Sequence, residues 1–200
     1  MGDNGQAVAA CLKNPYFFTI NDAGEWFIAD YGNKRIRKVY LNGTITTVAG
    51  GGTETGDAPA TSVRLTSPTS VSFMPSGEML VADYNGNVVR KMDGSGFMRV
   101  IAGGGSKALS SDNPIPAKTT YLSPRTIAYA RDGGDAIFIG DSRGYIFKLT
   151  VVRMCYGVKS DNSAVCSGHG TCIGTDQCLC NSGWMQVDCS ITHCFGVSSN

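Results

Sequence analysis

The segment from residue 26 to residue 52, WFIADYGNKRIRKVYLNGTITTVAGGG, recurs in outline 53 positions further along the chain, and this repeat restricts the possible folds more than any other feature. Gly24 returns as Gly77, Ala29-Asp30-Tyr31 as Ala82-Asp83-Tyr84, Arg37-Lys38 as Arg90-Lys91, and Ala49-Gly50-Gly51-Gly52 as Ala102-Gly103-Gly104-Gly105. A period near 50 residues marks an architecture of stacked units, each of which buries its apolar face only against its neighbours. A looser third copy follows, with Ser111-Asp112-Asn113-Pro114 standing where Gly56-Asp57-Ala58-Pro59 stood and Asp141 where Asp83 stood. The three repeats span 2–52, 56–105 and 111–150.

Within each copy, runs of aromatic and β-branched residues alternate with Gly, Asn, Asp and Ser turns, which predicts short strands. In the first copy these fall at 16–20, 25–30, 34–40 and 44–49. Asn42-Gly43 predicts a two-residue hairpin turn with positive φ at both central positions, and Gly96 holds the matching place in the second copy. Gly32, Gly86 and Gly144 are expected to turn the second strand into the third. Twenty-six glycines without a G-X-Y period suit so many tight turns. A four-stranded antiparallel meander repeated in series has two usual outcomes, and radial packing of blades around a channel is the commoner for units of about 40 to 50 residues. Residues 1–150 are therefore expected to be all-β, a partial β-propeller of about three four-stranded blades.

The stretches GDAPATSVRLTSP, GEMLVADYNGNVVRK and VIAGGG, in that order, resemble the NHL repeat in its GDG-PA-x-L-x-x-P form, over residues 2–150. The third copy departs from the pattern. Lys148 stands seven residues after Asp141, where Arg37 and Arg90 follow Asp30 and Asp83, and no Ala-Gly-Gly-Gly closes the copy, which leaves its fourth strand unsupported. Propellers close with about four to eight blades. Three blades imply a piece of a longer protein, the preferred reading, or self-association in which two copies complete a six-bladed ring.

Composition draws a second boundary. Cys11 stands alone, whereas the other seven cysteines fall between Cys155 and Cys194. Cys155, Cys166, Cys172, Cys178, Cys180 and Cys189 follow the spacing C-x10-C-x5-C-x5-C-x-C-x8-C, in a segment with too few apolar side chains for a core that outweighs its chain entropy. Disulfides are the expected staples, and spacing alone does not choose among the pairings that six cysteines allow. A zinc site using Cys178, Cys180, His169 and His193 fits less well, because structural zinc sites favour ligand pairs about two to four residues apart, often as C-x2-C.

Cys166-Ser-Gly-His-Gly-Thr-Cys172 and Cys178-Leu-Cys180-Asn-Ser-Gly183-Trp184, ending at Cys189, resemble an EGF-like domain over residues 151–190. The resemblance implies the pairs Cys155–Cys172, Cys166–Cys178 and Cys180–Cys189. Trp184 is expected to pack over its own hairpin. Calcium-binding members of that family place acidic and amide residues around the first cysteine, whereas Cys155 is flanked by Val152-Arg153-Met154 and Tyr156-Gly157-Val158, so no calcium is expected. Cys194-Phe-Gly-Val echoes Cys155-Tyr-Gly-Val at a 39-residue step, and residues 194–200 read as the start of a truncated second EGF-like unit.

The candidates for chemistry read as construction. Asp30, Asp83 and Asp141 recur in every copy, whereas a catalytic centre needs one asymmetric constellation. Turn capping and ion pairs with Arg37, Arg90 and Lys148 are their expected roles. Some NHL propellers are lyases that hold a metal through channel histidines, but both histidines, His169 and His193, lie in the cysteine-rich part. Ser110, Ser111 and Ser163 have no nearby His-Asp support of the kind a nucleophilic serine needs, and no G-x-S-x-G elbow is present. The glycine runs at 50–52 and 103–105 lack the Lys-Ser/Thr of a phosphate loop and read as links between blades. No catalytic residue, cofactor or metal ligand is assigned.

A net charge of +1 and a pI near 7.5 nominate no nucleic acid or anionic membrane as partner. Other NHL propellers bind RNA through a basic face. Here the one basic run, 34–38, splits between the two faces of a strand, and a disulfide-dependent neighbour argues for an oxidising compartment. No apolar run reaches the roughly 18 residues that span a bilayer, and the start of the chain lacks the pattern of an export signal. Cys11 aligns with Arg64 and is expected outside the deep core; Asn42-Gly43-Thr44 is an N-glycosylation sequon on a turn.

The leading expectation is a non-enzymatic interaction or adhesion module of an extracellular or cell-surface multidomain protein, with an unidentified protein or glycan ligand. Loops such as 53–67 and 106–123 would offer the contacts. Teneurin-like proteins combine the same two modules with the EGF repeats ahead of the propeller; the order here is the reverse, so the chain is not assigned to them. The alternatives are a secreted propeller lyase or hydrolase with its site in further blades, and an intracellular NHL adaptor binding RNA or protein.

Overall fold

The computed structural model describes residues 2–106, 117–130 and 136–150, and beyond them the backbone of residues 154–155, 158–159, 170–174, 177–180, 184–185 and 191–192. The chain divides into two compact units, Met1–Leu149 and Thr150–Asn200.

The first unit is a segment of β-propeller. Blade 1 is an antiparallel meander of β2 (Pro15–Ile20), β3 (Trp26–Asp30), β4 (Arg35–Val39) and β5 (Thr44–Gly50). Blade 2 repeats it with β7 (Pro68–Phe73), β8 (Met79–Asp83), β9 (Val88–Met92) and β10 (Phe97–Gly103). Blade 3 has β11 (Pro124–Ala130), β12 (Ala136–Asp141) and β13 (Ile146–Thr150), with no fourth strand among the described residues.

The ladders repeat along with the sequence. Each first strand carries its irregularity just after the entry proline, between Pro15 and Phe17, Pro68 and Ser70, and Pro124 and Thr126. A second bulge skips Val48 in β5 and Ile101 in β10, positions 53 residues apart. Bulges sharpen the local twist of a sheet, so the sequence repeat carries blade curvature as well as strand placement.

Two features differ from the expected four-stranded unit. A short strand precedes each of the first two meanders, β1 (Gly5–Gln6) and β6 (Ala58–Pro59), and pairs with the outermost strand, β5 or β10. The aspartate just before it supplies the reason. Asp57 accepts a hydrogen bond from the Val100 N–H at 2.9 Å, and the Asp3 carboxylate accepts one from the Thr47 hydroxyl at 2.9 Å. These side chains satisfy groups on the exposed edge and hold the entering chain against it.

The second difference is the turn after β4. Of its residues only Gly43 has positive φ, at 80°, its N–H donates to the Tyr40 carbonyl at 2.9 Å, and the Asn42 side chain accepts from the Thr44 N–H at 3.0 Å. This is a four-residue turn ending on a left-handed glycine, in place of the two-residue primed turn. Gly96 closes the corresponding turn onto Asp93 in the same way. The side-chain bond from Asn42 is the competing interaction: it favours a right-handed Asn with only the glycine inverted.

The core lies between blades. Phe27, Ala29, Ile36 and Ala49 of blade 1 form one buried cluster with Val71, Met79, Val81 and Met98 of blade 2 and with Ala58, Ala60, Val63 and Leu65 of the linking segment. Phe27 and Phe73 meet edge to face at 4.7 Å. Each fully buried Val, Leu, Ile or Met contributes about 1.5–3 kcal/mol, so blade contacts are the main source of stability.

In the second unit, β14 (Met154–Cys155) pairs with β15 (Val158–Lys159), β16 (Gly170–Gly174) with β17 (Gln177–Cys180), and β18 (Trp184–Met185) with β19 (Ile191–Thr192). Three small antiparallel ribbons result.

Candidate functional site

The repeated aspartates sit where their strands end, and each is buried. Asp30 accepts from the Lys13 N–H and the Asn33 amide, both at 2.8 Å, and from Arg37 at 3.4 Å. Asp83 accepts from the Ser67 N–H at 2.7 Å and the Thr66 N–H at 3.0 Å. Asp141 accepts from the Ser123 N–H at 2.6 Å and from Arg143. In each blade the carboxylate ties the start of the first strand to the end of the second. Their acceptor capacity goes to structural donors, as the repetition implies.

The cations seven residues on do not act alike. Arg37 is fully buried and bridges Asp30 and, at 2.7 Å, Asp3. Arg90 donates to the carbonyls of Thr55 at 2.9 Å and Gly56 at 3.2 Å. Lys148 is exposed, and Arg143 pairs with Asp141 instead. Arg143 lies only two residues from the carboxylate, so the shorter reach replaces the expected partner.

Within the basic run 34–38, Arg35 lies 3.5 Å from Asp3, Arg37 is paired as above, and Lys38 meets Glu25 at 2.7 Å. That pairing lowers the Glu25 pKa, chiefly through the Lys38 hydrogen bond. The first glycine run packs against its neighbours: a Cβ on Gly50 would lie 2.4 Å from the Lys34 carbonyl oxygen, and the Gly50 N–H donates to the Ala60 carbonyl. Two open clefts flank these links, one of about 510 Å³ around Arg64, Asp83 and Arg90, the other of about 470 Å³ around Lys34, Arg35 and Gly51. Among the described residues, no three of His, Cys, Asp and Glu cluster as metal ligands would.

A different arrangement is exposed at the end of the blades where the first strands begin. Arg125 of blade 3 donates to the Tyr16 hydroxyl of blade 1 at 2.8 Å and lies over the Tyr84 ring of blade 2 at 4.1 Å. Tyr16 in turn stands 5.8 Å from Tyr31. At the same end Arg143 lies 4.9 Å from the Tyr121 ring centre and 5.8 Å from that of Tyr145. Tyr16, Tyr121 and Tyr145 are exposed. Hydrogen bonds to Tyr84 and to Asp141, respectively, raise the pKa values of Arg125 and Arg143, so both stay cationic.

This Tyr–Arg grouping is not evident from the motifs themselves. Its signal lies in variation at a repeated position: the residue after the entry proline is Tyr16, Thr69 and Arg125 in successive blades, and the residue after the capping aspartate is Tyr31, Tyr84 and Ser142. Of the loops at 53–67 and 106–123, residues 107–116 lie outside the described residues; among those described, Tyr121 is the member of this group.

Cys11 is exposed and free. Asn42 is exposed on its turn. Cys155, Cys172, Cys178 and Cys180 fall in the second unit's described strands, with Cys172 opposite Cys178 in the ladder. Cys166, Cys189, Cys194 and the two histidines lie outside the described residues.

Residues 159–189 match the EGF-like domain. The chain is 34% identical over 110 residues to Teneurin-1 of Gallus gallus, an alignment covering 51% of this chain and 4% of that protein. In structure it is similar to an auxiliary nutrient binding protein from Bacteroides ovatus, with TM-score 0.56, 18% identity, and coverage of 70% of this chain and 39% of that one. A structural genomics protein of unknown function from Bacteroides thetaiotaomicron gives TM-score 0.54 and 18% identity, covering 72% and 37%. At that identity the likeness is one of fold. The chain thus joins an all-β propeller segment to an EGF-like domain, a combination of extracellular type.

Proposed function

We propose that this chain is a non-enzymatic interaction module of an extracellular or cell-surface protein, engaging a protein or glycan partner through the Tyr and Arg side chains at the strand-entry end of its blades. One observation carries the reading: at positions where the repeat permits variation, blades 1 and 3 place Tyr16 and Arg125 in contact across the segment, beside Tyr84. Tyrosine and arginine dominate binding hot spots because they combine large contact area with directional polar groups. These side chains stand on hydrogen-bonded strands and already contact one another, which lowers the ordering cost of binding. The EGF-like match and the likeness to Teneurin-1 support placement outside the cell. In that setting the second unit is held by the pairs Cys155–Cys172, Cys166–Cys178 and Cys180–Cys189, Asn42 is an accessible glycan acceptor, and the propeller is of NHL type.

The test uses the oxidised chain as a soluble probe on a panel of intact cells. Arg125→Ala combined with Tyr16→Ala is expected to weaken binding at least about tenfold with the melting temperature unchanged. Prior treatment of the cells with protease or with glycosidases identifies the partner's class. Binding equal to that of the unaltered chain would remove this face from consideration.

A further inference from the structure

Blades 1 and 2 each bury an arginine at the same repeat position, but they satisfy it differently. In blade 1, Arg37 is fully buried between two carboxylates, Asp30 at 3.4 Å and Asp3 at 2.7 Å. Asp3 also lies 3.5 Å from Arg35 and accepts from the Thr47 hydroxyl at 2.9 Å. Its carboxylate reaches in from the entering chain and neutralises a cation that burial would otherwise leave uncompensated.

The entering chain of blade 2 follows the same path, with Ala58 opposite Met98 as Gly5 is opposite Ile45. In that register Arg90 stands for Arg37 and Asp83 for Asp30, but Gly56 stands for Asp3. Val88 and Val100 replace Arg35 and Thr47. Asp57, one position later, gives its carboxylate to the Val100 N–H instead. Arg90 is only 4% exposed, yet its hydrogen bonds go to two uncharged carbonyls, those of Thr55 and Gly56, and its Nε has no partner. Among the described residues it forms no ion pair. Burial lowers its pKa, opposed by the charges of Asp83 and Asp57 at longer range.

The cleft of about 510 Å³ around Arg64, Asp83 and Arg90 is bounded by Val88, Arg90 and Val100, the counterparts of the three residues that surround Asp3. Arg64 brings a second cation to it, exposed and without a side-chain partner among the described residues. Asp83 also lines the cleft, but its carboxylate oxygens accept from the Thr66 and Ser67 N–H groups. Blade 1 shows that one arginine at this position accommodates two carboxylates. The volume is that of a small-molecule site.

We propose that this cleft binds a small organic carboxylate, whose charged group pairs with Arg90 and Arg64 in the place that Asp3 fills in blade 1, and whose apolar part lies on Val88 and Val100. A carboxylate there completes the pairing of a buried guanidinium, which makes each hydrogen bond charge-assisted. An uncharged analogue of the same shape leaves Arg90 as it is.

The experiment is calorimetric titration of the full oxidised chain with benzoate, and with benzamide as the uncharged control. Benzoate is expected to bind with a Kd below about 1 mM, and benzamide at least about tenfold more weakly. Gly56 is exposed, lacks a positive φ, and would carry a Cβ with nothing within 4 Å, so Gly56→Asp restores the Asp3 carboxylate without strain. That variant should melt at a higher temperature and bind benzoate at least about tenfold more weakly. Arg64→Gln should weaken benzoate about fivefold, with the circular dichroism unchanged. Both substitutions leave Tyr16, Tyr84 and Arg125 in place, so cell binding by that face is expected to persist in them. Equal binding of benzoate and benzamide, or of neither at about 10 mM, would overturn the proposal. Undiminished benzoate binding by Gly56→Asp or by Arg64→Gln would overturn it equally.

Discussion

At the residue scale, three carboxylates with one structural job carry different charge costs. Burial pushes the Asp83 carboxyl above its ordinary pKa, outweighing the hydrogen bonds from Ser67 and Thr66 and the attraction of Arg90. Burial also acts on Asp141, but the Arg143 side chain and the backbone N–H groups of Ser123 and Arg143 together bring its pKa below the ordinary value. The signs follow from linkage. A lowered carboxyl contributes stability that is present above its unfolded pKa and is lost as pH falls through the folded value; a raised one loses stability as pH rises from the unfolded value through the folded value. Asp141→Asn is accordingly expected to cost about 1–3 kcal/mol at neutral pH and progressively less in acid. The cost of Asp83→Asn should run the other way, smallest at neutral pH. Urea unfolding of both variants between acid and neutral pH checks the pair, and parallel pH profiles would contradict this assignment. The role of these aspartates was legible from their recurrence. The partner of Asp141 was not, because equal spacing in sequence does not reveal that Arg143 reaches the carboxylate from two residues away.

At the element scale, the repeat placed strands well. The predicted 16–20, 25–30, 34–40 and 44–49 became Pro15–Ile20, Trp26–Asp30, Arg35–Val39 and Thr44–Gly50. What it missed were β1 and β6, two-residue strands too short to show an alternating pattern and held by Asp3 and Asp57 from outside. Glycines of equal φ also differ in purpose. Gly50 and Gly77 both have φ of 83°, but a Cβ on Gly50 would meet the Lys34 carbonyl oxygen at 2.4 Å and Leu65 at 2.9 Å, whereas one on Gly77 would meet nothing within 4 Å. Gly77→Ala should thus cost only the left-handed backbone penalty of about 1–2 kcal/mol. Gly50→Ala adds a clash with backbone at the blade junction, and about 3 kcal/mol or more is expected. Thermal unfolding of the two variants side by side measures the difference.

At the scale of the whole molecule, the two units rest on different physics. Residues 1–149 are stabilised by apolar contacts between blades, whereas the cysteine-rich unit has few apolar side chains and, on the proposal above, would depend on disulfides. Reductant is expected to abolish amide protection in β14 to β19 while that of β7 to β10 stays within about twofold, as read by hydrogen exchange. Loss of protection in both units together would show that the propeller segment also depends on the disulfides. The sequence by itself determined the repeat, the strand positions, the capping role of the recurring aspartates and the change of composition at the cysteine cluster. Each is a local or periodic property written in residue type and spacing. Only the tertiary structure decided which side chains meet at the strand-entry end. Tyr16, Tyr84 and Arg125 lie far apart in sequence, and what brings them together is the packing angle between blades, which no single repeat contains.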